Sequence, residues 1–201
     1  MQDVYIFEGI DNVGKTTVIQ KLKEKIDMLT EYDCISLAFP GNEPNTLGSL
    51  VYDIHHHQKK YFDSPVNQAS LQLLHIASHI DLIQRRLLNF KSKCEIVLLD
   101  RFWWSTCAYG LAGKLDEDIV KAIISPELLY WKNVNIKRIF LLERENRERD
   151  YEIEKDNKIV NTYRELAIKE QKCRILNNDG SIEELVTQIY NEILENITHG
   201  V

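Results

Sequence analysis

One short stretch near the start of the chain constrains the fold more than any other. Val4-Tyr5-Ile6-Phe7 is an apolar run of β-branched and aromatic residues, which predicts a buried strand. Directly after it, Gly9-Ile10-Asp11-Asn12-Val13-Gly14-Lys15-Thr16 fits the pattern G-x-x-x-x-G-K-[ST]. From Thr17 to Thr30 the residues Val18, Ile19, Leu22, Ile26 and Leu29 fall near one face of a helix. A strand, a glycine-rich turn and a helix in that order make a cradle for an anion. The glycines let the loop wrap closely, so that successive backbone N–H groups point inward. The helix adds its positive end and its unpaired N–H groups. On this reading Gly9, Asn12, Val13, Gly14, Lys15, Thr16 and Thr17 hold the phosphates of a nucleotide. Lys15 reaches the β- and γ-phosphates, and the Thr16 hydroxyl is offered to Mg2+.

The rest of the chain alternates in the same way. Cys34–Phe39, Glu95–Asp100, Lys137–Leu142 and Cys173–Leu176 read as further strands. Helical patterns follow Asn45-Thr46 and cover Gln68–Phe90, Ser105–Leu111, Glu117–Ile124 and Lys155–Gln171, with a last one from Ser181. The strands lack period-two polarity, as expected when both faces are covered, so the sheet is predicted to be parallel. The expected fold is a single α/β domain over residues 1–201, doubly wound, with about five parallel strands.

Composition narrows the partners. Lys and Arg number 25 against 31 Asp and Glu, a formal net charge of -6. That balance argues against a nucleic-acid binder working through a basic surface, and leaves a nucleotide substrate open. Cys34, Cys94, Cys107 and Cys173 lie far apart without a C-x-x-C pair, so free thiols and a reducing compartment are expected. With no basic leader and no apolar run near the roughly 20 residues that span a bilayer, the expectation is a soluble, cytoplasmic protein without a membrane partner. The run His55-His56-His57 reads either as a metal site or as an exposed polar helix end.

Two more segments bear on chemistry. The strand EIVLLD delivers Asp100 to its C-terminal edge, where open parallel sheets bind ligands, and Arg101 follows at once. Asp100 is a candidate Mg2+ ligand beside Thr16; a structural ion pair with Arg101 is the alternative. Residues 143–150 alternate in charge, which suits either a solvated face or a lid over a nucleotide that brings Arg147 and Arg149 to the transferred phosphoryl group.

Together these residues resemble the thymidylate kinase family of P-loop nucleoside monophosphate kinases. FEGIDNVGKTT is similar to that family's phosphate loop, including Asp11 near the acceptor sugar. DRFWWSTCAYG, residues 100–110, is similar to its Asp-Arg segment followed by Ser-Thr-x-Ala-Tyr and is the more discriminating motif. RILNNDGSIEELVTQIYNEI is similar to its last strand, adenine-side loop and helix. The resemblance implies a short lid at about 143–152, ATP and Mg2+, a deoxynucleoside monophosphate acceptor (dTMP by inheritance) and a homodimer. It also implies catalytic roles for Lys15, Arg101, Arg147 and Arg149, with the acceptor touched by Asp11, Arg101, Ser105 and Tyr109.

Two departures stand out. The family stacks an aromatic residue on thymine and, four residues on, bonds the base with an arginine; in LLHIASHID those places hold His75 and His79. Residues 39–48 contain no basic residue to meet the acceptor phosphate, so either Lys59 or Lys60 takes that part or the acceptor has no phosphate. A nucleoside or other small-molecule kinase therefore stays open, as does a nucleotide-binding module without catalysis.

Overall fold

The computed structural model describes residues 2–41, 43–88, 95–145 and 153–198. Asn42, Cys94, Arg147 and Arg149 lie outside the described residues, and so does most of the expected lid. The elements run β1 (Asp3–Glu8), α1 (Lys15–Leu29), β2 (Asp33–Ala38), α2 (Leu47–His56), α3 (Gln68–Leu82) and β3 (Glu95–Asp100). They continue with α4 (Trp103–Ala112), α5 (Glu117–Trp131), β4 (Ile136–Glu143), α6 (Ile153–Lys169), β5 (Cys173–Asn177) and α7 (Ile182–Thr198).

The five strands form one sheet in the order β2-β3-β1-β4-β5, and every pairing is parallel. This is the α/β architecture expected from the alternating pattern. Val4, Tyr5, Ile6 and Phe7 on the central strand are at most 1% exposed, which explains their unbroken apolar run. Each such side chain contributes roughly 1.5–3 kcal/mol by leaving water. Helix α1 packs against α7, while α3, α4, α5 and α6 pack among themselves. The connections leaving the adjacent strands β1 and β3 therefore lead to different helix groups, and the crevice between them is the place where such sheets bind ligands.

Three local features depart from the sequence expectation. The long helix read over Gln68–Phe90 ends its α-helical part at Leu82, and Ile83–Leu88 is π-helical with Ile83 and Leu87 buried. A 3-10 turn, Gln58–Lys60, follows α2. Helix α5 runs past Ile124 and through Pro126 to Trp131. Proline removes one helical hydrogen bond, but tertiary contacts hold the segment. Glu127 is wholly buried, accepts a hydrogen bond from Trp131 Nε1 at 2.8 Å and pairs with His79 Nδ1 at 2.9 Å.

Candidate functional site

The cradle is built as the physics of the motif requires. Gly9 has φ 141° and Gly14 φ 90°, conformations that L side chains rarely adopt. A Cβ on Gly9 would lie 2.4 Å from the Leu142 carbonyl oxygen, and one on Gly14 would lie 2.5 Å from Asn178 Nδ2. Asn178, from the loop after β5, donates to the Val13 carbonyl at 2.7 Å and braces the turn from outside. Helix α1 starts at Lys15 with no side chain capping it, so its first N–H groups stay available to an anion. Lys15 is buried and donates to the Gly9 and Ile10 carbonyls at 2.8 and 3.1 Å. Burial, and after it the Arg101 charge, lowers its ammonium to about 8 against the pull of Asp100, Asp11 and Glu8. Thr16 and Thr17 at the mouth are exposed.

A hydroxyl–carboxylate pair and an ion pair flank the cradle. Thr16 Oγ1 donates to Asp100 Oδ2 at 3.1 Å, while Asp100 Oδ1 is buried without a partner among the described residues. A hydroxyl beside a half-satisfied carboxylate is a donor set that suits Mg2+, which takes few protein ligands and fills the rest from phosphate and water. Among the described residues no three His, Cys, Asp or Glu side chains gather to hold a metal ion. On the other flank Arg101, in left-handed backbone conformation at φ 73°, pairs with Asp11 and donates to Ser105 Oγ at 2.9 Å. Tyr109 also donates to Asp11, at 2.8 Å. Burial pushes the Asp11 carboxyl up, but Arg101 and Tyr109 outweigh it and hold the group below its ordinary value.

Two residues of this network escaped the sequence reading. Glu8, fully buried at the end of β1, accepts from the Phe102 and Ser105 backbone N–H groups at 2.9 and 3.1 Å and from Ser105 Oγ at 2.9 Å. It thereby caps α4 from the neighbouring strand and fixes the segment that carries Arg101. A carboxylate that closes an apolar strand just before the glycine turn was the available signal. Tyr163, from α6, shares a 2.8 Å hydrogen bond with Ser105 Oγ; nothing in its helical surroundings marks it. Replacing Glu8 by Gln puts an amide N–H2 where only donors converge. Glu8→Gln is expected to lose about 1–3 kcal/mol in urea unfolding, and an unchanged midpoint would contradict the capping role.

The histidines divide. His79 is 3% exposed, paired with Glu127 and stacked on Phe39 with ring centroids 4.1 Å apart, so it belongs to the interior rather than beside Asp11 and Arg101. His75 is partly exposed, and its Nε2 lies 2.7 Å from His55 Nδ1. Burial, then the neighbouring histidines, lowers His75 to about 3. His57 bonds Asp53 at 2.7 Å, as does Lys60, which also touches Tyr61; Lys59 is exposed. A cavity of about 370 Å³ lies between the cradle and the end of β4, lined by Gly9, Val13, Glu143, Arg144, Tyr163 and Arg164. Glu143 is held there by a two-pronged pair with Arg164, both contacts at 2.7 Å.

Comparison with known proteins gives a consistent result. A family model described as Thymidylate kinase matches residues 7–189. A probable thymidylate kinase of Sulfolobus acidocaldarius is 27% identical over 96% of this chain and 97% of its own length. One of Methanocaldococcus jannaschii is 28% identical over 96% of each. Among solved structures, a thymidylate kinase from Candida albicans superposes with a TM-score of 0.74, covering 98% of this chain and 92% of its own, at 22% identity.

Proposed function

From the premise that the chain belongs to the thymidylate kinase family, and so is a nucleoside monophosphate kinase, a phosphotransferase, we propose that it moves the γ-phosphoryl group of ATP to dTMP. An oxygen of the dTMP phosphate attacks the γ-phosphorus. The new P–O bond forms as the bond to the β-bridging oxygen breaks, leaving dTDP and ADP. Such a step needs little covalent help, so the work is positioning and charge neutralisation. The observation that carries this reading is the convergence on one loop: Lys15 and Arg101 both donate to the Gly9 carbonyl, at 2.8 and 3.4 Å, and Thr16, next to Lys15, donates to Asp100 at 3.1 Å.

Gly9, Asn12, Val13, Gly14, Lys15, Thr16 and Thr17 hold the donor phosphates in this scheme. Lys15 neutralises charge that grows between the β- and γ-phosphates. Thr16 and Asp100 would hold a Mg2+ ion, which when bound supplies further neutralisation of the phosphate oxygens. On the acceptor side Arg101 holds the dTMP phosphate, Asp11 and Tyr109 meet the sugar, and Ser105 keeps Arg101 in place. His75 borders the base, and His79 supports the helix behind it. A lid at about 143–152 is proposed to bring Arg147 and Arg149 over the phosphoryl group, within one domain spanning 1–201.

A homodimer in the cytoplasm is proposed from the same family membership. Free thiols at Cys34, Cys107 and Cys173 suit a reducing compartment. Among the described residues no helix is long and apolar enough to cross a membrane.

Steady-state ADP formation with ATP and Mg2+ separates the possible acceptors. The expected outcome is turnover with dTMP and a rate at least about 100-fold lower with thymidine, because a site built for a phosphate leaves Arg101 unpaired when none arrives. The reverse preference would establish a nucleoside kinase. ATP binding without transfer to any acceptor would establish a non-catalytic module.

A further inference from the structure

Ser105 Oγ has three polar neighbours: Glu8 Oε2 at 2.9 Å, Arg101 Nη1 at 2.9 Å and the Tyr163 hydroxyl at 2.8 Å. A proton count orders them. Ser105 has one hydrogen to give, and it goes to Glu8, a carboxylate on which only donors converge. The two lone pairs of Ser105 Oγ then accept from Arg101 and from Tyr163. Tyr163 is therefore the donor in the bond it shares with Ser105. Burial pushes this phenol well above its ordinary value, so the proton is there to give. Its oxygen is left to accept from Arg101 Nη1, at 3.4 Å. One terminal nitrogen of Arg101 thus meets Ser105 and Tyr163, and the other, Nη2, meets Asp11.

The two prongs of the guanidinium face different surroundings. Tyr163 is 1% exposed and Ser105 is partly buried, whereas the Asp11 side chain is largely open to solvent. A guanidinium is planar and rigid, so holding Nη1 inward fixes the direction in which Nη2 points. Tyr163 is itself held by the helix that carries it. Helix α6 packs on α4, which carries Ser105. The next residue of α6, Arg164, holds Glu143 at the end of β4 through two contacts of 2.7 Å. Neighbouring side chains on a helix diverge by about 100°. The pair that anchors Arg164 to the sheet therefore also sets the bearing of Tyr163. A phenylalanine ring would fill the same interior, so what the hydroxyl adds is its contact with Ser105 and Arg101.

We infer that Tyr163 is a positioning residue for Arg101: through Ser105 it fixes the inner prong of the guanidinium and so aims the outer prong at the acceptor phosphate. This rests on the role proposed above for Arg101 and adds the residue that sets its aim. The test is Tyr163→Phe, which keeps the ring and removes the hydroxyl. KM for dTMP is expected to rise about 3- to 10-fold, the scale of one lost hydrogen bond, while KM for ATP stays within about twofold. In a Ser105→Ala background the same substitution is expected to cost less than about twofold, because the link is already cut. A residue that only supports the fold would weaken both substrates, and would do so in either background. A second readout uses the unmodified protein. By NMR the Nη1 protons of Arg101 are expected to exchange with water more slowly than its Nη2 protons. Equal changes in the two KM values, no change in either, an effect undiminished by Ser105→Ala, or equally fast exchange at both nitrogens would overturn the inference and leave the kinase assignment intact. Failure of dTMP as an acceptor for the unmodified protein would overturn both.

Discussion

Lys15→Ala is expected to lower kcat by at least about 10³-fold, the scale seen when a single preorganised charge is removed from a transition state. The expectation follows from where the ammonium sits. It is 6% exposed, tied to the Gly9 and Ile10 carbonyls, and held inside a glycine loop at the uncapped start of α1. Stability responds differently. A Lys whose folded pKa is lowered to about 8 is held charged at a cost below that pH. Between about 8 and the ordinary value of 10.5 the unfolded chain binds the proton that the native chain has lost, so native stability rises with pH across that window. Lys15→Ala is expected to abolish that rise while leaving a folded protein. Urea unfolding at pH 7.5 and 9.5 reads the difference. A variant with near-normal turnover would contradict the phosphate role, and an unchanged alkaline rise would contradict the burial.

Arg101→Lys has the second largest expected effect. It keeps the charge but removes the fork by which one side chain reaches Asp11, Ser105 and, at 3.4 Å, the Gly9 carbonyl and the Tyr163 hydroxyl. Loss of kcat/KM for dTMP by about 10²- to 10³-fold is expected. Binding of a non-hydrolysable ATP analogue should change little, because the contacts proposed for the donor lie on Lys15 and the loop. The backbone strain at Arg101 is common to both residue types, so the substitution isolates the head group. An equal loss of donor and acceptor binding would instead mean that Arg101 only holds the fold.

How much of this was readable beforehand follows from the range of each interaction. Strands buried on both faces carry unbroken apolar runs, so VYIF and EIVLLD announced themselves, and so did a parallel sheet. The cradle was legible because its glycines, lysine and threonine sit at fixed spacing between a strand and a helix. Asp100 and Arg101 were legible because strand ends deliver side chains to the sheet edge. What was not legible depends on contacts distant in sequence. His79 meets Glu127 across 48 positions, and no periodicity predicts that this histidine would turn to a buried carboxylate. His55 and His75 meet only because α2 packs on α3. Tyr163 reaches Ser105 from a helix whose pattern speaks only of burial. Helix α5 crosses Pro126 because Glu127 and Trp131 are anchored in the core, a tertiary gain that outweighs one missing backbone bond.

The central claim is that one loop presents a donor phosphate to an acceptor phosphate held by Arg101. The direct measurement is a single turnover with ATP labelled at its γ-phosphorus, excess enzyme, Mg2+ and dTMP, quenched and separated by chromatography. The label is expected to leave ATP and appear in dTDP, with ADP formed in equal amount and no label released as inorganic phosphate. Label in inorganic phosphate alone, or label still in ATP after dTMP has bound, would contradict it.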